Sequence, residues 1–499
     1  MQGGLRPCQE LEPSSICDSR PALRIFVTPL ERPNMQGPAI SPRRDFLKSA
    51  GLGLAASSAG VYRALAQAAE AKSGHPLAPR RSNHPARAKH LIFVFLTGGF
   101  SHVDTFDPKP QLAVDAGKSV SAIHLRGTDV LPLMPSPFRF TQHGQSGLPM
   151  SELFPHLRTV ADELCVVRSL HTDIIEHFQS VLAMHTGSAT VPLPSIGAWV
   201  SFGLGTLNAN LPSYVVFCEH PPYGGSQVWD SNFLPPVHQG VRIFPGPNPL
   251  PDLASRAPTL SLHELEQRML RDANELHAEA RPGDLNLRAR QTSFDIARGM
   301  MRVAPEVFDL AGETRETLDL YGVDSADKTS FAWQCLIARR MVERGVRTVE
   351  LIDTGASNNW DAHGNMQDHR PKALRVDRAL AALIQDIKRR GLLDETLVAI
   401  CTEFGRTPWT DAPNGKGRNH YAAAFSCLLA GAGIKGGTTY GQTDEHGITI
   451  AANPVHVHDY HATILHVLGL DHEHLTYRYA GRDFRLTDVR AHVVRDILA

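Results

Sequence analysis

Carboxylates, imidazoles and guanidinium groups gather in five short stretches: GGFSHVDTFDPKP (98–110), NWDAHGN (359–365), TEFGRTP (402–408), GRNHY (417–421) and HVHDYHATILHVLGL (456–470). Oxygen and imidazole donors of this kind bind divalent ions. Arginine adds a planar fork that matches phosphate or sulfate oxygens. Asp361 and His363 stand two apart, and in extended backbone such side chains face the same way, so both can reach one ion. The plainer alternative is an Asp–His hydrogen bond within a loop. Glu403 ends an apolar run and Arg406 follows its turn. That pair either holds a metal and an anionic oxygen or closes on itself as a salt bridge.

The remaining candidates carry the same ambiguity. Asp104 either ligates an ion or caps a turn before Pro108. Arg418 and His420 share a glycine-rich loop, where His420 ligates, protonates a leaving group or simply faces solvent. Asp459 suits a helix N-cap, which leaves one of His458 and His461 to touch the site. His177 opens a helical stretch whose N-terminal end favours anions. It is either a nucleophile or acid–base group, or a satisfied structural side chain.

These clusters need a frame that brings them together. Each lies beside an apolar run. HLIFVFLTGG (90–99), LCVVRSL (164–170), SYVVFCE (213–219), TVELIDTG (348–355), TLVAICTEFG (396–405) and SCLLAGAG (426–433) read as strands buried on both faces. HFQSVLAMHTG (177–187), ALRVDRALAALIQDIKRRG (373–391) and YHATILHVLGL (460–470) have helical spacing. The alternation predicts an α/β fold: a doubly wound, mainly parallel sheet with helices on both faces. Such sheets bind ligands beyond the carboxyl ends of their strands. Residues 220–260 are dense in proline and glycine, and 261–345 are helical in pattern, so 220–345 reads as an insertion. The division expected is an N-terminal extension and signal over 1–68, a linker over 69–88 and the α/β domain over 89–499.

Net charge is −1 and the isoelectric point is about 7.1, which argues against nucleic acid as a partner. Five cysteines past residue 68 are widely spaced without a CxxC, so neither a disulfide framework nor a thiolate zinc site is expected. Ser41-Pro-Arg43-Arg44-Asp-Phe46-Leu47-Lys48 resembles a twin-arginine export signal. It is followed by a weakly apolar stretch with small-residue cleavage sites. The 34 residues before Met35 suit no signal, and Met35 reads as the true start. No run of 18 apolar residues suggests a transmembrane segment. The expectation is a periplasmic or otherwise exported protein that uses the twin-arginine machinery as a partner.

With these residues in hand, the chain resembles the DUF1501 family, bacterial proteins that are mostly twin-arginine-exported. The resemblance runs from about residue 88 to 490 through LTGGFSHVDTFDPKP, CLIARRMVERGVRTVEL, NNWDAHGN, EFGRTP, GRNHY, TDEHG and HDYHATILHVLGLDHEHLTYRYAGRDFRLTDV. His102 stands where glutamine or another polar residue is expected. More distantly, the chain is similar to the alkaline phosphatase and sulfatase superfamily, which implies a doubly wound core and divalent metals. It departs from that pattern. There is no CxPSR motif, His177 falls where the nucleophile is expected, and Phe404 replaces a metal-binding histidine.

The combined expectation is an exported metal-dependent hydrolase of phosphate or sulfate esters, on a small-molecule or glycan substrate. Asp104, Asp361, His363, Glu403, His420 and His458 would hold one or two ions. Zn²⁺ suits the mixed donor set, whereas Ca²⁺ or Mg²⁺ requires more oxygen ligands. Arg406 and Arg418 would neutralise ester oxygens, and His177 would act in catalysis. The alternative is a non-catalytic, metal-stabilised binding protein for a polyanionic glycan or a protein partner.

Overall fold

The computed structural model describes residues 76–499, apart from 125–126, 252, 254, 325, 411 and 413. The export signal, Met35 and the linker as far as residue 75 lie outside the described residues.

Nine strands build one sheet. They are β1 His90–Phe95, β2 Leu164–His171, β3 Tyr214–Cys218, β4 Val241–Ile243, β5 Thr348–Ile352, β6 Thr396–Cys401, β7 Phe425–Ala430, β8 Thr438–Tyr440 and β9 Val455–His456. Their order is β8-β2-β7-β6-β1-β5-β3-β4, with β9 also on β2. All pairings are parallel except those of β7, which runs antiparallel to both β6 and β2. The sheet is therefore mainly parallel, as its continuous apolar strands predict.

Those runs are apolar throughout because both faces are covered. On β1 and at the residue after it, Ile92, Val94 and Leu96 enter one core and Leu91, Phe93 and Phe95 the other. Full burial of each such side chain is worth roughly 1.5–3 kcal/mol. The main helices are α1 His177–Thr186, α2 Ile196–Leu204, α3 Leu260–Glu279, α4 Leu285–Phe308, α5 Phe331–Glu343, α6 His369–Arg389 and α7 Val457–Val467. Helices α5 and α6 supply the first core; α1, α2 and α7 supply the second. Helix α7 is capped differently from the expectation: His456, not Asp459, is the N-cap, and Asp459 sits at N3 of a capping box, where its carboxylate accepts from the His456 N–H at 2.8 Å.

Two features of the sheet matter for chemistry. Phe95 pairs with both Cys401 and Ile352, so β1, β5 and β6 finish level with one another. The reversal of β7 then puts its entry at the same edge, and the residues leading into it arrive beside the ends of its neighbours. Residues 220–260 depart from the irregular excursion expected, because Val241–Ile243 joins the sheet edge as β4. The hairpins Ser119–His124 with Gly127–Pro132, and Phe140–His143 with Leu148–Ser151, also have no counterpart in the sequence reading.

Candidate metal centre

Four polypeptide stretches converge on the carboxylate of Asp361. Asp361 and His363 lie in the loop after β5, whose course is fixed by Trp360. The Trp360 backbone N–H donates to Thr97 O at 2.9 Å, and its indole Nε1 donates to Asp353 Oδ2 at 2.8 Å. Gly98 is required at this approach. It has φ +109°, and a Cβ there would lie 2.6 Å from Trp360 N. Arg406 and His420 are cross-strand partners in a short antiparallel ladder between β6 and β7. Gly417 lets the Asp361 loop pack on this ladder, since a Cβ there would lie 1.9 Å from His363 O. His177 begins α1.

The imidazole Nε2 atoms face the carboxylate. His363 Nε2 is 3.0 Å and His420 Nε2 3.3 Å from Asp361 Oδ1, while His177 Nε2 is 3.3 Å from Oδ2. His363 Nε2 and His420 Nε2 are 3.0 Å apart. Donor atoms of His177, Asp361 and His420 all lie within 4.8 Å of one another. The opposite ring nitrogens of two of these histidines are held by acceptors. His177 Nδ1 donates to Glu403 Oε1 at 2.7 Å, and His420 Nδ1 donates to Ile175 O at 2.7 Å. With hydrogen on Nδ1, each ring in its neutral form directs its Nε2 lone pair toward Asp361. Buried His177 Nε2 makes no hydrogen bond. Imidazole nitrogens and a carboxylate that face one another this closely favour positive charge between them, whether a shared proton or a metal ion. A histidine whose distal N–H is bound by a carboxylate or carbonyl is the usual arrangement around a metal. The residues present therefore fit a divalent ion, with nitrogens of His177 and His420 and an oxygen of Asp361 as the compact donor set and His363 Nε2 beside it against Asp361 and His420.

Electrostatics agree with the geometry. Burial would lower His177, but the neighbouring carboxylates of Asp361 and Glu403 raise it to about 8. The position attracts positive charge. Burial would raise Asp361, yet His177, His363, His420 and Arg406 hold it far below the usual carboxylate range. Burial likewise opposes Glu403, which His177 and Thr402 nevertheless hold low. Burial lowers His420, and Arg406 adds to that. The cluster reaches solvent chiefly past His363, 38% exposed at the side chain against 11% for His177 and 12% for His420.

Each sequence candidate now has a place. Asp361, His363 and His420 meet, and His177 joins them. Glu403 is fully buried and orients His177 from behind, while its oxygens accept the Gly98 N–H at 2.8 and 3.0 Å and the Thr402 hydroxyl at 2.9 Å. Arg406 is also buried. It donates to Asp361 Oδ1 at 2.5 Å, to Gly99 O at 2.8 Å and to the carbonyls of Gly98 and Arg418. Its guanidinium thus positions the carboxylate instead of facing a ligand.

Asp104 and Arg418 are brought to each other and not to the cluster. Arg418 Nε donates to Asp104 Oδ2 at 2.7 Å, and its other nitrogens reach Thr407 O and Met134 O. Ser101 Oγ donates to the same carboxylate at 2.6 Å. His458 is also elsewhere, with Nε2 2.9 Å from Gly187 O, and His461 Nε2 is 2.7 Å from Met184 O. His102, doubtful from the sequence, is buried with Nε2 3.1 Å from Gly447 O.

Two residues given no role in the sequence reading border the centre. Tyr223 stacks on His177, centroids 4.3 Å apart and planes at 14°. Asn359 donates from Nδ2 to the Tyr223 hydroxyl at 3.0 Å and accepts the Asp361 N–H at 3.1 Å. Asn359 was within the NWDAHGN stretch, and Tyr223 within the proline- and glycine-rich excursion. Neither residue type announces a ligand site alone.

A doubly wound α/β sheet with an imidazole–carboxylate cluster at its strand ends is the class that fold and site define. The profile of the family described as Protein of unknown function (DUF1501) matches residues 88–498, and the chain belongs to that family. No curated protein matches it. Similar solved structures include the lipoteichoic acid synthase LtaP from Listeria monocytogenes, with 10% identity, TM-score 0.36, and 84% of this chain and 80% of that chain covered. A protein in the alkaline phosphatase superfamily from Vibrio parahaemolyticus gives 11% identity, TM-score 0.34, and 79% and 70% coverage. The PsFucS1 sulfatase from Pseudoalteromonas sp. gives 12%, 0.32, and 86% and 72%. Likeness at these values carries nothing about chemistry. Among the described residues, no helix is long and apolar enough to cross a membrane.

Proposed function

We propose that this chain is a divalent-cation-dependent hydrolase of phosphate or sulfate esters, periplasmic or otherwise exported by the twin-arginine route. The observation that carries the cation is the convergence of three imidazole Nε2 atoms on Asp361, two of them with Nδ1 already engaged. His177, Asp361, His363 and His420 would hold it. Three nitrogens and one carboxylate oxygen suit Zn²⁺ better than Mg²⁺ or Ca²⁺. A bound divalent ion supplies Lewis acidity, which polarises an ester and acidifies water.

The chain's own residues prepare that position. Glu403 accepts the His177 Nδ1 proton and fixes the tautomer. Ile175 O does the same for His420. Arg406 and the Asn359 side chain hold Asp361 from two directions. An ester of a small molecule or of a glycan end would approach past His363, the most exposed of the three imidazoles.

The test is elemental analysis of the natively exported protein, followed by turnover of aryl phosphate and aryl sulfate esters. The reading expects close to one divalent ion per chain and turnover that disappears in Asp361→Ala and His177→Ala variants that remain folded. A metal-loaded protein that turns over neither ester class sinks it.

One observation favours the second reading, a metal-stabilised binding protein for a polyanionic glycan or protein partner. Both arginines near the site are buried and their nitrogens engaged by carbonyls and carboxylates. The ester oxygens thus lack the fixed guanidinium that the sequence suggested. Ion content without turnover is the result that selects this reading.

A further inference from the structure

If Arg406 and Arg418 are occupied, an oxyanion at the centre needs another donor. The hydrogen-bond inventory at the rim identifies one. Asn359 Oδ1 accepts the backbone N–H of Asp361 at 3.1 Å. That bond fixes which end of the amide is oxygen. The other end, Nδ2, therefore faces Gly355 O at 3.3 Å and the Tyr223 hydroxyl at 3.0 Å. Gly355 O is an acceptor, so both contacts agree on the same orientation. Toward Asn359, then, the phenol oxygen is an acceptor. Its own proton points elsewhere, and among the described residues it has no acceptor.

The ring is held as firmly as the hydroxyl. It lies nearly parallel to His177 at 4.3 Å between centroids. Tyr223 is only half-buried, so the residue is not sealed from solvent. Two hydrogen bonds, through Asn359, tie the hydroxyl to the backbone of the ligand residue Asp361.

We propose that Tyr223 donates a hydrogen bond to an oxygen of a tetrahedral oxyanion, phosphate or sulfate, bound at the centre formed by His177, Asp361, His363 and His420. The proposal rests on the cation-centre reading above, but not on turnover. A neutral donor in place of a guanidinium fits a site where the cation supplies most of the charge. It also distinguishes oxygen-rich tetrahedral groups from ligands that only fill a coordination position.

The experiment uses the full zinc-loaded chain and inorganic phosphate and sulfate as probes. Affinity is measured by titration calorimetry for the wild type and for Tyr223→Phe, which keeps the stacked ring and removes only the hydroxyl. Zinc content should be equal in the two proteins. Phosphate or sulfate affinity should fall about ten- to a hundredfold in the variant, as for a hydrogen bond to a charged group. Equal affinity overturns the proposal, and so does a wild type that binds neither anion. Loss of zinc in Tyr223→Phe overturns it too, because the phenol then braces His177 instead of binding a ligand. A clear affinity loss in a protein that hydrolyses no ester leaves the Tyr223 assignment standing and removes the hydrolase reading. Turnover with an unchanged anion affinity does the reverse.

Discussion

Asp104 and Asp361 are both carboxylates beyond strand ends, both touch an arginine, and their surroundings differ in one respect. Around Asp104 the neighbours are proton donors: the Arg418 guanidinium and the Ser101 hydroxyl. That charge is complete without any ion, and both Asp104 and Arg418 are 0% exposed. Around Asp361, Arg406 supplies one donor, but three imidazole nitrogens crowd the same two oxygens. Two of those imidazoles have already given their Nδ1 hydrogen to another acceptor. The comparison teaches that position at a strand end does not make a carboxylate a metal ligand. What marks Asp361 as the candidate is that its imidazole neighbours offer it so few protons.

The sharpest way to break this contrast is to remove each carboxylate in turn. Asp361→Ala should lower zinc affinity by more than the roughly ten- to hundredfold loss typical of residues that merely orient ligands. A competition titration with a chromogenic chelator reads it. The protein should remain folded, since Asp361 lies at a partly exposed site and Arg406 keeps its bonds to Gly98 O, Gly99 O and Arg418 O. Unchanged zinc affinity would remove the distinction between the two carboxylates.

Asp104→Asn should do the opposite. Arg418 would be left buried and charged, a loss of about 3–5 kcal/mol when one partner of a buried pair is removed. Thermal unfolding reads that loss. The zinc bound per folded chain should stay at the wild-type level. A variant as stable as wild type, or one that loses its ion while folded, would put Asp104 back among the ligands.

Glu403→Gln tests the smaller, indirect contribution. Glutamine retains an oxygen for His177 Nδ1 but not the negative charge behind the ring. Zinc affinity should fall by about ten- to a hundredfold with the ion still bound at saturation. A loss as large as that of Asp361→Ala would mean that Glu403 is itself a ligand, as the sequence had suggested.

Much of this frame was legible in the residues. Both-sided burial leaves a mark: Leu91 to Leu96 are apolar at every position because alternate side chains enter different cores. That mark located β1, β5 and β6, and with them Asp361 and Glu403 beyond their ends. Direction leaves no such mark. The apolar run of β7 reads the same parallel or antiparallel, yet its reversal is what delivers His420 to the centre. Pairing was equally silent. Asp104 and Arg418 are 314 positions apart, and the chain order does not reveal that they neutralise each other. Tyr223 escaped for a related reason: a tyrosine in a Pro-Pro-Tyr-Gly-Gly loop looks like surface until its stacking on His177 is known.

The smallest effect concerns acid. Burial raises the Asp104 carboxyl, but Arg418 and Ser101 outweigh it and hold the group below its ordinary value. A carboxyl depressed on folding contributes stability above its unfolded pKa of about 3.9, and that stability is lost as pH falls toward the lower folded value. Asp104→Asn has no proton to gain at this position. The stability difference between wild type and variant should therefore be constant from neutrality down to about pH 5 and narrow below about pH 4. Urea unfolding of both chains, stripped of metal by chelator so that the histidine cluster is alike in each, isolates the slope. A gap that stays constant through pH 3 would mean that the Asp104–Arg418 contact holds the fold by shape and hydrogen bonding alone, and the contrast with Asp361 would then lie in the presence of histidines and not in balanced charge.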